Sequence, residues 1–422
     1  MITAYKGHIV YTKNPGKLEI SKNSYVIIED GIVKDICENI NDIKLDDIVD
    51  YGDKMIIPGF VDLHFHAPQF PNLGLGLDKE LLPWLTDYTF PEEAKFADID
   101  YAKEVFASVI ENVWRQGTTR IVFFSSLHKE ASILLMDMLN KAGLGAFVGK
   151  VNMDRNSPDF LIEDTKQSLI ETEEILKEYS NKYKLVKPIV TPRFVPTCTI
   201  ELMNGLGDLA KKYDARIQTH ISENTGEVEW VKELHPDARD YIDVYESSNL
   251  INSKTVLAHC VHNTDKEIEV MSESGTFAAH CPNANYNLSS GIMPARKFME
   301  MGVNVGLGTD VGAGHKVSIA NVMSQAIQAS KMKWLETDKK YDPLTISEAF
   351  YLGTKGGGKF FGKVGSFEAG YEFDALVIDD TGLGVKGERT IEERIQRYIY
   401  CGDDRNIVER DVSGIRVVKP VF

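Results

Sequence analysis

Short apolar runs alternate with longer stretches of helical spacing along most of this chain. From about Ile57 onward the runs are Phe60–His64, Arg120–Ser125, Gly145–Asn152, Pro188–Thr191, Arg216–His220, Thr255–His259, Thr276–His280 and Val303–Thr309. Between them apolar positions recur three and four apart, as in Tyr101–Gln116, Ile162–Tyr179 and Asp265–Glu273, the period of an amphipathic helix. Strands alternating with helices predict a parallel sheet, and eight such runs predict an α/β fold closed into a (β/α)8 TIM-type barrel. The chain ends read differently. In Tyr25–Val33 an Asp30-Gly31 pair separates two β-branched runs, a tight-hairpin signal because both turn positions need positive φ. Short strands return beyond about Gly365, with Phe373–Ile378 the clearest. We therefore expect residues 1–57 and 366–422 to form a small β-sandwich domain built from both chain termini, beside a barrel over residues 58–365.

The length of 422 residues suits that arrangement. Lys and Arg number 47 against 63 Asp and Glu, a net charge of −16. Such an acidic chain has no excess of cations to displace counterions from a polyanion, so no nucleic-acid partner is expected. The balance fits a cytoplasmic protein. The five cysteines, Cys37, Cys198, Cys260, Cys281 and Cys401, never form a C-x-x-C pair, which argues against a disulfide framework or a four-cysteine zinc site. No basic segment leads into an apolar run near Met1, and no apolar stretch of roughly 18 residues occurs, so neither an export signal nor a membrane span is expected.

Chemistry gathers where the runs end. His64, Arg193, His220, His259 and Asp310 all fall at C-terminal ends of predicted strands, the face of such barrels that carries active sites. In His64-Phe65-His66 the two imidazoles sit two residues apart and so point to one side of a strand. Neutral imidazoles suit zinc or iron. Each element alone reads as easily as core packing, and Asp310 in Gly308-Thr309-Asp310 reads as easily as a helix cap. Taken together, His64, His66, His220 and Asp310 would complete a four-ligand metal site.

The run Pro58-Gly59-Phe60-Val61-Asp62-Leu63-His64-Phe65-His66, followed in order by His220, His259 and Asp310, resembles the amidohydrolase superfamily. Gln69, the segment Leu82–Pro91, Thr191-Pro192-Arg193-Phe194 and His220–Asn224 are similar to the members that deaminate guanine. Pro68 and Phe70 stand where that pattern has serine and tyrosine. The resemblance implies a hydrolase acting on a cyclic amidine C–N bond. It implies one divalent metal per chain, zinc first and iron as the alternative, held by His64, His66, His220 and Asp310. A metal-activated hydroxide would attack C2 of guanine, releasing ammonia and giving xanthine, a step of purine catabolism and salvage. Glu223 would move the proton to ring N3, Asp310 would accept the water proton, and His259 would orient the attacking oxygen.

For the substrate, the resemblance points to Gln69, Trp84, Arg193, Phe194 and His220. Arg193 carries only donors and suits O6 or N7, whereas the amide of Gln69 offers donor and acceptor and is free to flip. Binuclear relatives bridge two metals with a carbamylated lysine at the end of the fourth strand; here that strand ends Val190-Thr191-Pro192-Arg193, with no lysine. A homodimer is implied by the resemblance alone. Two other readings stand beside this one. One is a related mononuclear aminohydrolase acting on another purine, a pterin or a triazine ring. The other is a barrel without activity, against which the complete set of ligands with Glu223 and His259 speaks. Gly353–Phe360 nearly spells a phosphate loop but lacks its Ser/Thr and follows a helical run, so it reads as a glycine-rich helix end. His280-Cys281-Pro282 reads as packing.

Overall fold

A computed structural model of the chain describes residues 1–41, 43–384 and 388–422. Four strands open it: β1 (Ile2–Thr12), β2 (Leu18–Glu29), β3 (Ile32–Cys37) and β4 (Asp47–Pro58). The barrel follows, with β5 (Phe60–His66), β6 (Thr118–Phe124), β7 (Gly145–Gly149) and the two-residue β8 (Val151–Asn152). It continues through β9 (Val186–Pro188), the two-residue β10 (Thr191–Pro192), β11 (Ile217–Ile221), β12 (Thr255–His259), β13 (Phe277–His280) and β14 (Asn304–Leu307).

The eight long barrel strands lie in two parallel arcs of four, β5-β6-β7-β9 and β11-β12-β13-β14. Val190 joins the arcs: its N–H donates to Arg216 O and its carbonyl accepts from Gln218 N, both at 2.9 Å. The other seam closes through Asp310 N to His64 O at 2.8 Å and His66 N to Val311 O at 2.9 Å. The barrel is therefore closed, and seven of the eight apolar runs match its strands closely; the fourth, Pro188–Thr191, instead spans the end of β9, the Val190 bridge and the start of β10.

These strands read as nearly continuous apolar runs because both of their faces are buried. Val61, Leu63, Val122, Ala258 and Ala279 point into one cluster inside the barrel. Ile121 and Phe123 alternate with Val122 and, together with Phe65 beyond a register irregularity in β5, pack outward against helix Ile99–Arg115 through Phe106, Val109 and Val113. Helix starts follow their caps. Asp98 accepts from the N–H groups of Asp100 and Tyr101 and starts Ile99–Arg115. Asp164 accepts from Gln167 N, so helix Thr165–Tyr179 begins three residues after the expected Ile162. The glycine-rich segment is helical, as read from the sequence. Gly357 lies so close to β14 that a Cβ on Gly306 would come within 2.9 Å of its Cα, which lets the helix end seat against the barrel wall.

The chain ends share one seven-stranded sheet in the order β17-β16-β15-β4-β1-β2-β3, where β15 is Ala375–Ile378, β16 Ile407–Val412 and β17 Ile415–Arg416. The β2–β3 hairpin turns through Asp30 at φ 51° and Gly31 at φ 81°. Tyr5, Ile9, Val26, Val33, Phe367 and Phe373 form its apolar cluster. Among the described residues of 366–422, two short 3-10 turns, Thr381–Leu383 and Asp404–Asn406, and one α-helix accompany the strands. Helix Ile391–Cys401, started by a Thr390/Glu393 capping box, buries Ile395, Tyr398 and Ile399 in the main barrel cluster. No helix among the described residues is long and apolar enough to cross a membrane.

Arg120 of β6 links barrel to sheet. Its Nε and Nη2 donate to both oxygens of Asp374 at 2.6 and 2.9 Å, and Nη2 also reaches Glu372 at 2.7 Å and Ser413 Oγ at 3.0 Å. The Asp374 side chain is 0 % exposed. Removing one member of a buried pair strands the other charge away from water. Arg120→Met should therefore lower unfolding free energy by about 3–5 kcal/mol in chemical denaturation, and adding Asp374→Leu should restore part of the loss. A single variant as stable as the wild type would show that the clamp contributes nothing.

Candidate active site

Four strand ends bring their side chains to one spot at the C-terminal mouth of the barrel. His64 and His66 come from β5, His220 from β11, His259 from β12, and Asp310 from the loop after β14. The backbone bends sharply where these strands finish. Ser222, His259, Cys260 and Asp310 all have positive φ, at 49°, 75°, 52° and 48°. Left-handed backbone at non-glycine residues is held only where surrounding structure enforces it, and it concentrates at functional sites.

The imidazoles face one another without protons to share. His66 Nε2 lies 3.1 Å from His220 Nε2. The Nδ1–H of His220 donates to Arg193 O at 2.6 Å, which leaves its Nε2 as a bare acceptor. His64 Nε2 is buried with no hydrogen-bond partner and lies 3.1 Å from Asp310 Oδ1. Asp310 Oδ1 is 3.5 Å from His66 Nε2. Burial holds His64, His66 and His220 well below the ordinary imidazole value, so all three rings are neutral. Burial also lifts the Asp310 carboxyl to about 6. Three neutral imidazoles converging on a carboxylate form a donor set that suits a divalent cation, and the Nδ1–H to carbonyl bond of His220 is the usual means of aiming Nε2 at an ion. Two overlapping groups, His64/His66/Asp310 and His64/His220/His259, have ligand atoms within 4.8 Å of one another.

A cavity of about 420 Å³ opens on this cluster. His66, Gln69, Trp84, Arg193, Phe194, His220, Glu223, His259 and Asp310 all line it, so every residue singled out in the sequence reaches its wall except His64, which lies behind. Glu223 is buried, accepts from Ser290 Oγ at 3.1 Å, and faces His259 Nε2 at 3.4 Å. Burial first, then the neighbouring Asp310 and Glu227 charges, push its carboxyl well above the ordinary range and so favour its protonated form. His259 Nδ1–H donates to Asn285 Oδ1 at 3.0 Å. Trp84 closes the wall as a buried anchor, with Nε1–H donating to Leu75 O at 3.0 Å. Phe194 stands with its ring 6.4 Å from that of His220.

The structure corrects one expectation. Gln69 cannot flip. Its Nε2 donates to Glu93 Oε1 at 2.9 Å and its Oε1 accepts from Gly312 N at 3.3 Å, so one orientation satisfies both ends and the reverse satisfies neither. Sequence reasoning also missed Glu93 and Glu227. Glu227 Oε2 accepts from the N–H groups of Glu223 and Asn224 at 2.8 and 3.2 Å, and its Oε1 accepts from Tyr241 OH at 2.7 Å. The Asn224-x-x-Glu227 capping-box spacing could have drawn attention to it. His280 remains buried and belongs to neither ligand group among the described residues.

Comparison with known proteins agrees with this site. The amidohydrolase family model matches residues 55–414. A guanine deaminase of Dictyostelium discoideum is 40 % identical over 99 % of this chain and 98 % of its own. A human guanine deaminase is 42 % identical over 86 % of this chain and 83 % of its own. The crystal structure of a guanine deaminase from C. acetobutylicum with bound guanine superposes with a TM-score of 0.97 at 49 % identity, covering 99 % of this chain and 100 % of the other. With the family model spanning the barrel and near full-length relatives at this identity, the chain belongs to the amidohydrolase family.

Proposed function

We propose that the chain is a guanine deaminase, hydrolysing guanine to xanthine and ammonia with one divalent ion per chain, zinc first among those its ligands suit. One observation carries the reading. A neutral-imidazole and carboxylate donor set and a Glu223 whose burial favours its acid form share a cavity whose polar wall also carries Gln69, Arg193, Glu227 and His259. Near full-length similarity to guanine deaminases supports it.

His64, His66, His220 and Asp310 are the residues that would hold the ion, which when bound acidifies water from a pKa of about 15.7 to about 7. The chain's own residues supply the rest. Arg193 presents donors suited to the O6 and N7 acceptors of guanine, and Gln69 keeps one free N–H and one free lone pair for a ring edge carrying both functions. Glu223 gives its proton to ring N3, which makes C2 electrophilic as water adds there. Asp310 takes one proton from the added water, Glu223 relays it to the exocyclic nitrogen so that the C2–N bond breaks and ammonia leaves, and the remaining C2–OH proton returns to Glu223 as C2=O forms. His259 holds the attacking water through Nε2, with its ring fixed by Asn285. Leu81, Leu85 and Leu288 wall the cavity and keep bulk water from it.

The direct test is spectroscopic: metal-replete protein should convert guanine to xanthine, and no conversion would overturn the reading. Elemental analysis should find one ion per chain, and His220→Ala should lose both ion and activity; two tightly held ions would sink the mononuclear site. Glu223→Gln keeps the shape but cannot cycle a proton, so kcat should fall by roughly 10²–10⁴ with metal retained. Turnover near wild type would remove Glu223 from proton transfer. Arg193→Ala should lower kcat/KM for guanine by about 2–4 kcal/mol without changing metal content. Unaltered guanine kinetics would show that Arg193 does not read the ring.

A further inference from the structure

Glu93 stands behind the cavity wall, 5 % exposed and outside the lining itself. It ends the short helix Phe90–Glu93. Both of its oxygens are committed. Oε2 accepts from Arg193 Nη1 at 2.5 Å, and Oε1 accepts from Arg193 Nη2 at 3.1 Å and from Gln69 Nε2 at 2.9 Å. The Arg193 guanidinium lies over the ring of Phe90, 5.2 Å from its centroid, so one turn of chain supplies both the charge partner and the platform.

Two consequences follow from this geometry. A bidentate carboxylate fixes the plane of the guanidinium and leaves its remaining N–H groups to face the cavity. The same carboxylate cancels the arginine charge, in a place too buried for water to screen it. An unpaired buried arginine would favour an anion, whereas a paired one offers donors without net charge and suits a neutral carbonyl.

We propose that Glu93 is a positioning residue that sets Gln69 and Arg193 in one register and neutralises Arg193, so that the cavity selects a neutral purine over an anionic ring. The inference builds on the guanine-deaminase reading. It bears on product release: xanthine is more acidic than guanine, and its anion is the form an uncompensated Arg193 would retain. The ion and Asp310 also face the cavity, but they are common to wild type and variants and cancel in the comparison.

The test uses metal-loaded Glu93→Gln and Glu93→Asp proteins. E93Q keeps the size but removes the charge and turns a donor toward Arg193 or Gln69. Its KM for guanine should rise at least about tenfold while kcat changes less, because the lost contacts act on binding and not on the proton path. Its affinity for neutral xanthine, which presents the same O6 and N7 edge, should fall about as that for guanine does, whereas its preference for the xanthine anion over the neutral form should rise by about tenfold or more over that of the wild type. E93D keeps the charge but retracts it by one methylene, so it should raise KM without the gain in anion preference. Calorimetric titration with xanthine at the two pH values reads this arm independently of turnover. A wild type that does not convert guanine defeats the functional reading, while the titration still tests Glu93. A folded, metal-replete E93Q with wild-type KM and wild-type xanthine affinity at both pH values overturns the proposal. Failure of both variants to fold would assign Glu93 to stability alone and would also overturn it.

Discussion

Asp62 lies two residues before His64, wholly enclosed, and grips both sides of the seam where the first barrel strand meets the last. Its Oδ1 accepts from His64 N at 3.2 Å and Thr309 N at 3.0 Å, and its Oδ2 accepts from Thr309 Oγ1 at 2.5 Å. Burial raises this carboxyl to about 7 against the pull of those three donors. Asp310 can stand 3.1 Å from His64 only because the seam is closed here. The ligand cluster is thus a product of barrel closure. Histidines from strands one and five and the aspartate after strand eight come from residues as far apart as 64 and 310, and no local segment could hold them together.

Electrostatic arrangement around the cavity follows from the same enclosure. Desolvation leaves the rings of His64, His66 and His220 neutral and pushes Glu223 toward its protonated form. One physical cause therefore produces ligands on one side and an acid on the other. Where a full charge is retained, it is answered directly, as with Arg193 by Glu93 and Arg120 by Asp374.

The sequence made the barrel legible because every strand is buried on two faces and so writes an unbroken apolar run, and because its helices carry the 3.6-residue period. The mouth was legible because the His-x-His pair, Glu223 and Asp310 sit where those runs stop. What stayed hidden depends on contacts between distant segments. Gln69 looked free to flip because nothing near it in sequence reveals that Glu93 and the N–H of Gly312 take both ends of its amide. Glu93 itself follows Pro91 and Glu92 in a charged stretch that reads as solvated surface. Helix Ile391–Cys401 was legible in principle from Thr390-x-x-Glu393 and the spacing of Ile391, Ile395, Tyr398 and Ile399, but it is short and follows a strand, so its neighbourhood reads as β.

The order of strands in the terminal sheet constrains how the chain can be made. β4 pairs on one side with β1 and on the other with β15. During synthesis β1–β4 leave the ribosome first, more than three hundred residues before Ala375. Until then one edge of β4, bearing Met55, Ile56 and Ile57, has no partner. An apolar strand with unpaired main-chain groups is a template for association with other chains. The nascent protein therefore carries an adhesive edge through about three quarters of these 422 residues, which makes slow elongation or premature termination a hazard of aggregation rather than merely of lost activity.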